Sequence, residues 1–482
     1  MDWTLLGFIL YLIVILYVGF RTYRINKSYK DYFIAGRKLN PWVVAFSERA
    51  SSESSWLILG LPGAAFALGF VEIWSALGCT LGVIASWTFV AKPLRIETEK
   101  YDAITLPDYY AEKFGNDTTI RLIAAIIIVF FFLFYLAAQF NGAGKVFNVT
   151  FGIPHVWGMI LGAVIIVFYT MLGGFFAVAW TDLIQGIIMI GALVILPLVG
   201  LIELAQHGTN LADAVSSSGS NFTSLTGGKI GWAAVAAVIA GLSWGLGYMG
   251  QPHLVTRFMS IRSADEIKIS RRIAIVWAIP AFAGAILIGL CFLALKNNGF
   301  FEGIDLSDPE IVMPLFTKTI LPAWLAGIFI SGAVAAMMST ADSQLLVISS
   351  SLIQDIYHKV MKSKVSDEKL LYLSRIITVL VGIIGFIIAL TSTKLIYQLV
   401  SYAWSGLGSS FAPTLLLILY WKKTTSQGVI AGMLTGFITT IIWTEIAALN
   451  SFITVRFVSF ILALIVTWIV SLFTYNKGKV AA

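Results

Sequence analysis

Charge is scarce in this chain. Only 12% of its 482 residues are Asp, Glu, Lys or Arg, about half the share of a soluble domain. So few polar side chains cannot cover a water-facing surface, which excludes a soluble enzyme and a disordered chain. Histidine occurs four times and cysteine twice, too sparsely for a metal cluster or a disulfide scaffold. Cys79 and Cys291 both fall in apolar runs and read as small buried side chains. The sequence holds no Walker-type phosphate loop and no haem or flavin signature, so no reading as an enzyme or an ATP-driven pump is supported. A cleavable leader is not expected either. The first apolar run, Trp3 to Phe20, follows Asp2, precedes basic residues and lacks a small-residue cleavage site, so it reads as a retained helix. Continuous rather than alternating apolar runs exclude an outer-membrane barrel.

What the chain does have is membrane composition. Hydrophobic residues make up 58% and aromatics 13%, with 15 Trp, 33 Phe and 42 Gly, and mean hydropathy is +0.88. These fit packed transmembrane helices with interfacial belts. A spanning helix needs about 20 mostly apolar residues. Thirteen stretches qualify: about 3–22, 42–70, 74–94, 119–148, 156–176, 181–204, 230–252, 272–296, 320–352, 372–391, 396–421, 427–447 and 453–474. With the N-terminus outside, 25 of the 32 Lys and Arg fall on the inner side. Five fall outside (Lys229, Lys296, Lys318, Lys394 and Arg456), and Arg49 and Lys145 lie within spans. This asymmetry predicts a multi-pass cell-membrane protein with a cytoplasmic C-terminus, and it accounts for the net charge of +7 without a nucleic-acid partner. The loops are too short to fold alone. The acidic loop from Glu302 to Glu310 is expected to be solvated, with a cover over an entrance as the other reading.

Three segments carry chemistry. Residues 47–63, Ser-Glu-Arg-Ala-Ser-Ser-Glu-Ser-Ser-Trp-Leu-Ile-Leu-Gly-Leu-Pro-Gly, put five serines, two glutamates and an arginine inside an apolar run. Polar groups at that depth are costly in lipid, and unwound backbone there is tolerated only where it lines a cavity. Residues 241–253, Gly-Leu-Ser-Trp-Gly-Leu-Gly-Tyr-Met-Gly-Gln-Pro-His, interrupt a second span with four glycines and Pro252. His253 reads as a helix-end residue on the cytoplasmic side. Leaving the first helix aside, the two interrupted spans each open a set of five, the pattern of an inverted-repeat transporter. Residues 331–345 contain adjacent hydroxyls, Ser339 and Thr340, one turn after Ala336. Hydroxyls and carbonyls together suit an alkali cation, and back-bonding to the preceding turn is the plainer alternative.

These stretches resemble the sodium/solute symporter family, and within it the sodium/proline symporters. The resemblance is carried by Tyr32-Phe-Ile-Ala-Gly-Arg-Lys-Leu-Asn-Pro41, Trp56-Leu-Ile-Leu-Gly-Leu-Pro-Gly63 and Leu106-Pro-Asp-Tyr-Tyr110. It continues through Leu172-Gly-Gly-Phe-Phe-Ala-Val-Ala-Trp-Thr-Asp182, 244–253, Met338-Ser-Thr-Ala-Asp-Ser-Gln-Leu-Leu346 and Ser401-Tyr-Ala-Trp-Ser-Gly-Leu-Gly408. It implies an all-α fold of the leucine-transporter type, two inverted five-helix repeats at 41–204 and 230–421. Residues 1–40 are then a first helix and basic loop, and 422–482 two further helices and a tail. It also implies a sodium site formed by carbonyls of Ala50, Glu53 and Ala336 with the hydroxyls of Ser339 and Thr340. Substrate is implied beside Ser54, Ser55 and Trp56, under Trp244 and Tyr248, with Tyr402 and Trp404 nearby. Asp182 matches an aspartate near the ion path, and Arg37 a sensitive inner-side arginine.

The chain departs from the family at 50–56. Proline symporters read Ala-Ser-Asp-Met-Ser-Gly-Trp where this chain reads Ala-Ser-Ser-Glu-Ser-Ser-Trp. Ser52 replaces the aspartate important for sodium, Glu53 a methionine and Ser55 a pocket glycine. Arg49 and Glu53 are four apart and share a helical face. Three roles are open to Glu53: it restores the lost carboxylate, it titrates and couples transport to protons, or it is locked to Arg49. The function implied is sodium-driven symport of a small organic solute, an amino acid such as proline. Alternatives are proton-coupled symport of another amino acid or small carboxylate through Glu53, and an uncoupled uniporter or solute sensor. The expected partners are that solute, an alkali cation and the lipid bilayer, with the chain acting as a monomer.

Overall fold

Inside hydrocarbon a backbone must satisfy its polar groups within its own segment, which favours helices. The computed structural model describes residues 3–23 and 29–475. Arg24, Lys27, Lys477 and Lys479, counted above as inner cations, lie outside them. Among the described residues every regular element is helical, and one isolated bridge, Leu39 to Ile261, is the only β-type pairing.

Among the described residues, ten helical runs are long and apolar enough to cross a bilayer, and two shorter apolar helices, Trp3–Val18 and His155–Met171, accompany them. The protein is therefore a multi-pass membrane protein. The run Pro41–Lys100 holds 60 residues, roughly 90 Å if straight and about three times the hydrocarbon core. It doubles back through the tight turn Gly69–Glu72, so that Trp87 Nε1 donates to Glu48 Oε2 at 2.9 Å. The stretches expected at 156–176 and 181–204 form one helical run, His155–Gln206, interrupted at Gly174 (φ 59°, ψ −172°). Glycine occupies that backbone region without strain. The chain folds back there, and Tyr169 meets Thr181 twelve residues later.

The first interrupted span comprises the helix Pro41–Ser55, a π-helical stretch Trp56–Gly60 and the helix Leu61–Leu68. The second comprises Gly231–Leu242, the short turn Trp244–Gly247 and Pro252–Ser260, where Pro252 opens the last helix. Proline suits that position because its missing N–H would have no helical partner. The helices Ala323–Ser350 and His155–Gln206 pack directly against Pro41–Ser55.

Three expectations change. Arg95, Arg121 and Arg257, counted as loop cations, are buried. They act as clamps: Arg95 donates to the Ile261 carbonyl at 2.7 Å, and Arg121 pairs with Asp108 and with Glu112 at 3.0 Å. His253 does open a helix, but its ring is fully buried against Phe132 and Tyr135. The acidic loop is docked at its end. Lys145 reaches Asp308 at 2.7 Å and Glu310 at 2.6 Å. Glu310 in turn accepts from the backbone N–H groups of Ile396 and Tyr397 at 2.9 and 2.7 Å, capping the helix Ile396–Tyr420. Both cysteines are buried and free.

Candidate functional site

The first span breaks at one residue. Ser54 has φ 53° and ψ −173°, close to the values at Gly174 but on a side chain that pays strain of about 1–3 kcal/mol there. Neighbours take up the freed backbone groups. Ser55 N–H donates to Gln139 Oε1 at 3.0 Å, and Trp56 N–H to Ser54 Oγ at 3.1 Å and to the Glu53 carbonyl. Tyr135 donates its hydroxyl to Ser54 Oγ at 3.3 Å. Among the described residues, three buried polar atoms at the break have no hydrogen-bond partner: Glu53 Oε2, Ser55 Oγ and Trp56 Nε1. Native structures rarely leave such groups unpaired without a functional reason.

Aromatic rings enclose this break. Trp56 lies 4.5 Å from Trp244 between ring centroids, Trp244 is 5.4 Å from Tyr397, and Tyr248 is 4.7 Å from Trp404. Trp404 Nε1 donates to the Trp244 carbonyl at 3.0 Å, and Gln251 to the Trp404 carbonyl at 3.0 Å. Gly247 permits this approach, because a Cβ there would stand 2.1 Å from Trp404 Nε1. Tyr402 stands apart. It packs on Phe131 and Phe134 and lines a separate cavity.

Next to the break, Ser339 Oγ donates to the Ala50 carbonyl at 2.9 Å and lies 3.2 Å from the Ala336 carbonyl. Thr340 Oγ1 donates one residue further along, to the Ser51 carbonyl at 2.9 Å. Ala50, Ala336 and Ser339 thus converge, while the Glu53 carbonyl is occupied by Trp56 N–H. The oxygens are hard and neutral, as an alkali cation requires.

Below them lies a second polar cluster. Asp182 Oδ2 accepts from Ser47 at 2.6 Å, Ser51 at 3.1 Å and Arg257 Nη2 at 3.1 Å. Arg257 also meets Ser343, which donates to Asp342 Oδ1 at 3.0 Å. Asp182 Oδ1 and Asp342 Oδ2 are buried without hydrogen-bond partners among the described residues. Arg49 forms a third cluster, joined to Glu48 through Nε at 2.6 Å and to Glu53 through Nη1 at 2.8 Å. Ser52 donates to the same Glu53 oxygen at 2.7 Å. Arg37 is remote from all three. Its guanidinium donates to the carbonyls of Met259 (3.1 Å), Thr98 (2.9 Å) and Ala103 (2.7 Å). Burial, reinforced by nearby Arg95, pushes its pKa down from the ordinary arginine value.

Sequence reasoning missed Gln139, Tyr397, Glu48, Arg257 and Asp342. A lone amide, acid or base within an apolar run is the signal that marks Gln139 and Asp342. Arg257 was counted among loop cations, and Tyr397 lay in the first turn of the expected span 396–421.

The sodium:solute symporter family model matches residues 32–436. The chain belongs to the sodium:solute symporter family. This symporter is 38% identical to the high-affinity proline transporter of Bacillus subtilis (strain 168), across 96% of its own length and 97% of that protein. It is 36% identical to the sodium/proline symporter of Escherichia coli (strain K12), across 92% and 88% of the two chains. Among solved structures it resembles a Na+-coupled sialic acid symporter in a substrate-bound, outward-open state. There the TM-score is 0.81 at 20% identity, with 98% of each chain covered. The symporter therefore has the leucine-transporter type of fold, and a role as a transporter rather than an enzyme follows from its family.

Proposed function

We propose that this symporter imports proline on an inward sodium gradient by alternating access. Its relatives named for proline transport, matched over nearly their full length, support the substrate. The observation that carries the reading is the set of unpaired buried atoms at the break: Glu53 Oε2, Ser55 Oγ and Trp56 Nε1. Proline brings a secondary ammonium, a carboxylate and an apolar ring. In this reading the ammonium meets Glu53 Oε2, the carboxylate accepts from Ser55 Oγ and Trp56 Nε1, and the ring packs against Trp244 and Tyr248.

Sodium, as the driving cargo, is held by the carbonyls of Ala50, Glu53 and Ala336 and the hydroxyls of Ser339 and Thr340. For all five to face the ion, Ser339 must turn its proton from the Ala50 carbonyl and Trp56 its N–H from the Glu53 carbonyl, while Thr340 offers its lone pairs. That exchange ties the helix Pro41–Ser55 to Ala323–Ser350 and orders the break for solute. Coupling is then the reciprocal gain in affinity between the two cargoes. Asp182 sits on the inner side of this ion path. The reading includes thirteen crossings, repeats at 41–204 and 230–421, an outer N-terminus and a cytoplasmic C-terminus, in a chain that works as a monomer.

The test is uptake of labelled L-proline by the purified protein in liposomes under a sodium or a proton gradient, imposed one at a time. Sodium-driven accumulation is the expected result. Accumulation under the proton gradient alone would transfer coupling to Glu53, and no accumulation under either would remove proline as the substrate.

A further inference from the structure

Three segments meet around a crevice of about 370 Å³. Trp42 comes from the start of the helix Pro41–Ser55, Trp180 and Leu183 from His155–Gln206 just past its interruption at Gly174, and Arg262, Glu266 and Ile269 from the stretch that opens the helix Ile267–Asn297. Trp42 is 58% exposed, Ile269 48% and Trp180 37%. In a chain that spans a membrane, large apolar side chains left open in this way face lipid. Indole rings favour the headgroup level, and the spans expected at 42–70, 181–204 and 272–296 each have one boundary here. The polar side of the crevice is basic. From Ile261 to Arg272 the sequence carries four cations and two acids, and one of the acids, Asp265, is already paired with Lys92 at 2.9 Å. The other, Glu266, holds Arg262 in place, accepting from Nε at 2.8 Å on both oxygens and from Nη2 at 2.6 Å. Among the described residues Arg262 Nη1 makes no hydrogen bond, and Lys268 and Arg272 are exposed nearby in sequence.

We infer that this crevice is a binding site for one anionic phospholipid, with its phosphate on Arg262 and its chains along Trp42, Trp180 and Ile269. A basic pocket between membrane helices is complementary to an anionic headgroup. The free Nη1 supplies a charge-assisted donor to a phosphate oxygen, and the excess of cations disfavours a lipid that brings a quaternary ammonium of its own. The crevice is too small for a whole lipid, so it takes the headgroup and the chains run along the open apolar faces. The lipid would also brace the end of the first interrupted span farthest from its break. Trp42 stacks on Phe46 with 6.2 Å between ring centroids. Phe46 in turn seats on Gly186, where a Cβ would come within 3.0 Å of the ring. The Gly186 carbonyl is held by Trp277 Nε1 at 3.0 Å, and the Pro41 carbonyl by Ser270 Oγ at 2.9 Å. One lipid thus rests on the three segments that frame the helix carrying Ala50, whichever solute and ion the chain transports.

The test is native mass spectrometry of the full chain, purified in detergent, stripped of lipid and titrated with phosphatidylglycerol or with phosphatidylcholine of the same chains. The unsubstituted protein is expected to retain about fivefold more phosphatidylglycerol, and Arg262→Gln to lower that retention about fivefold, the effect of one cation close to an anionic lipid. Glu266→Gln releases the guanidinium for a two-pronged contact with phosphate and is expected to raise retention at least about twofold. Arg272→Gln removes an exposed cation outside the crevice and should change retention less than about twofold. Excess sn-glycerol 3-phosphate, which has the headgroup phosphate without the chains, should not displace the lipid. Equal retention of the two lipids, unchanged retention in Arg262→Gln, or an equal loss in Arg272→Gln would overturn the site, the last by showing diffuse surface charge. Displacement by glycerol phosphate would overturn it in favour of a soluble phosphate ester, and a dimer mass that disappears in Trp42→Ala would overturn it in favour of a second copy of the chain. If Arg262→Gln fails to fold, Glu266→Gln decides: a fall in retention there also overturns the site.

Discussion

Arg49 Nη1 and Glu53 Oε1 stand 2.8 Å apart, one helical turn from each other and fully buried. Glu48 grips the same guanidinium from the adjacent position, so two carboxylates share one cation. This makes the substitutions at the two ends unequal. Glu53→Gln leaves Arg49 matched to Glu48, and is expected to shift stability by less than about 1 kcal/mol. Arg49→Gln leaves two carboxylates buried without a counter-charge, and is expected to cost about 3–5 kcal/mol. Thermal unfolding in detergent measures both. In transport, Glu53→Gln is expected to keep sodium dependence while raising the KM for proline about tenfold, or ~1.4 kcal/mol. Loss of sodium dependence in that variant would instead make the carboxylate part of coupling.

Ser339 and Thr340 each hold a carbonyl of the opposite helix, Ala50 and Ser51. Ser339→Ala and Thr340→Ala are each expected to raise the sodium concentration for half-maximal uptake about tenfold, and the double variant to lose sodium stimulation. Wild-type sodium dependence in the double variant would show that the ion is held elsewhere. Uptake measured over a range of sodium concentrations decides.

Trp244 makes ring contacts with Trp56, Tyr397 and Trp404. Each such pair contributes about 0.5–1.5 kcal/mol beyond area burial. Trp244→Phe keeps a ring and is expected to raise KM for proline by less than about fivefold. Trp244→Ala opens the cage and is expected to raise it at least about tenfold, given three lost pairs of about 0.5 kcal/mol or more each. Initial-rate kinetics compare them, and equal KM values for the two would remove the ring from the site.

Arg37 joins three backbone segments through carbonyls of Thr98, Ala103 and Met259. Arg37→Ala releases all three at once, and uptake is expected to fall about tenfold or more while proline binding changes less than about twofold, because the binding residues are remote. Arg37→Lys restores one contact and should fall between. Equilibrium binding and uptake on the same preparations check the split, and a parallel loss of binding would assign Arg37 a role in the site.

The interrupted spans were legible because polar residues and glycines stand out in apolar sequence. The position of the break was not. Pro62 and Gly63 mark the weak point by composition, yet the chain turns at Ser54, where Gln139 from another helix accepts the freed Ser55 N–H and Tyr135 donates to the Ser54 hydroxyl. That depends on packing, which local sequence does not carry. Tyr402 and Tyr397 make the same point. With 3.6 residues per turn, Tyr397 and Trp404 are two turns apart and share a face, whereas Tyr402 lies nearly opposite Tyr397. The expected span already began at residue 396; choosing between the tyrosines required knowing which face of that helix meets Trp244. Asp182 was singled out without its environment, since Ser47, Arg257 and Asp342 come from three other segments.

The cap that Glu310 places on Ile396–Tyr420 also orders events during synthesis. Its other partner, Lys145, lies 165 residues earlier in the chain, and Ile396 lies 86 residues later. The lysine pair is able to form as soon as Glu310 has left the ribosome and been inserted. The two backbone donors arrive only once the segment after residue 395 has followed. Until then the rim around Glu310 is a carboxylate with one of its three supports, and a nascent chain halted before that point exposes an unfinished edge to the insertion machinery and to membrane proteases. In the finished chain this one carboxylate ties residue 145 to the start of the helix Ile396–Tyr420.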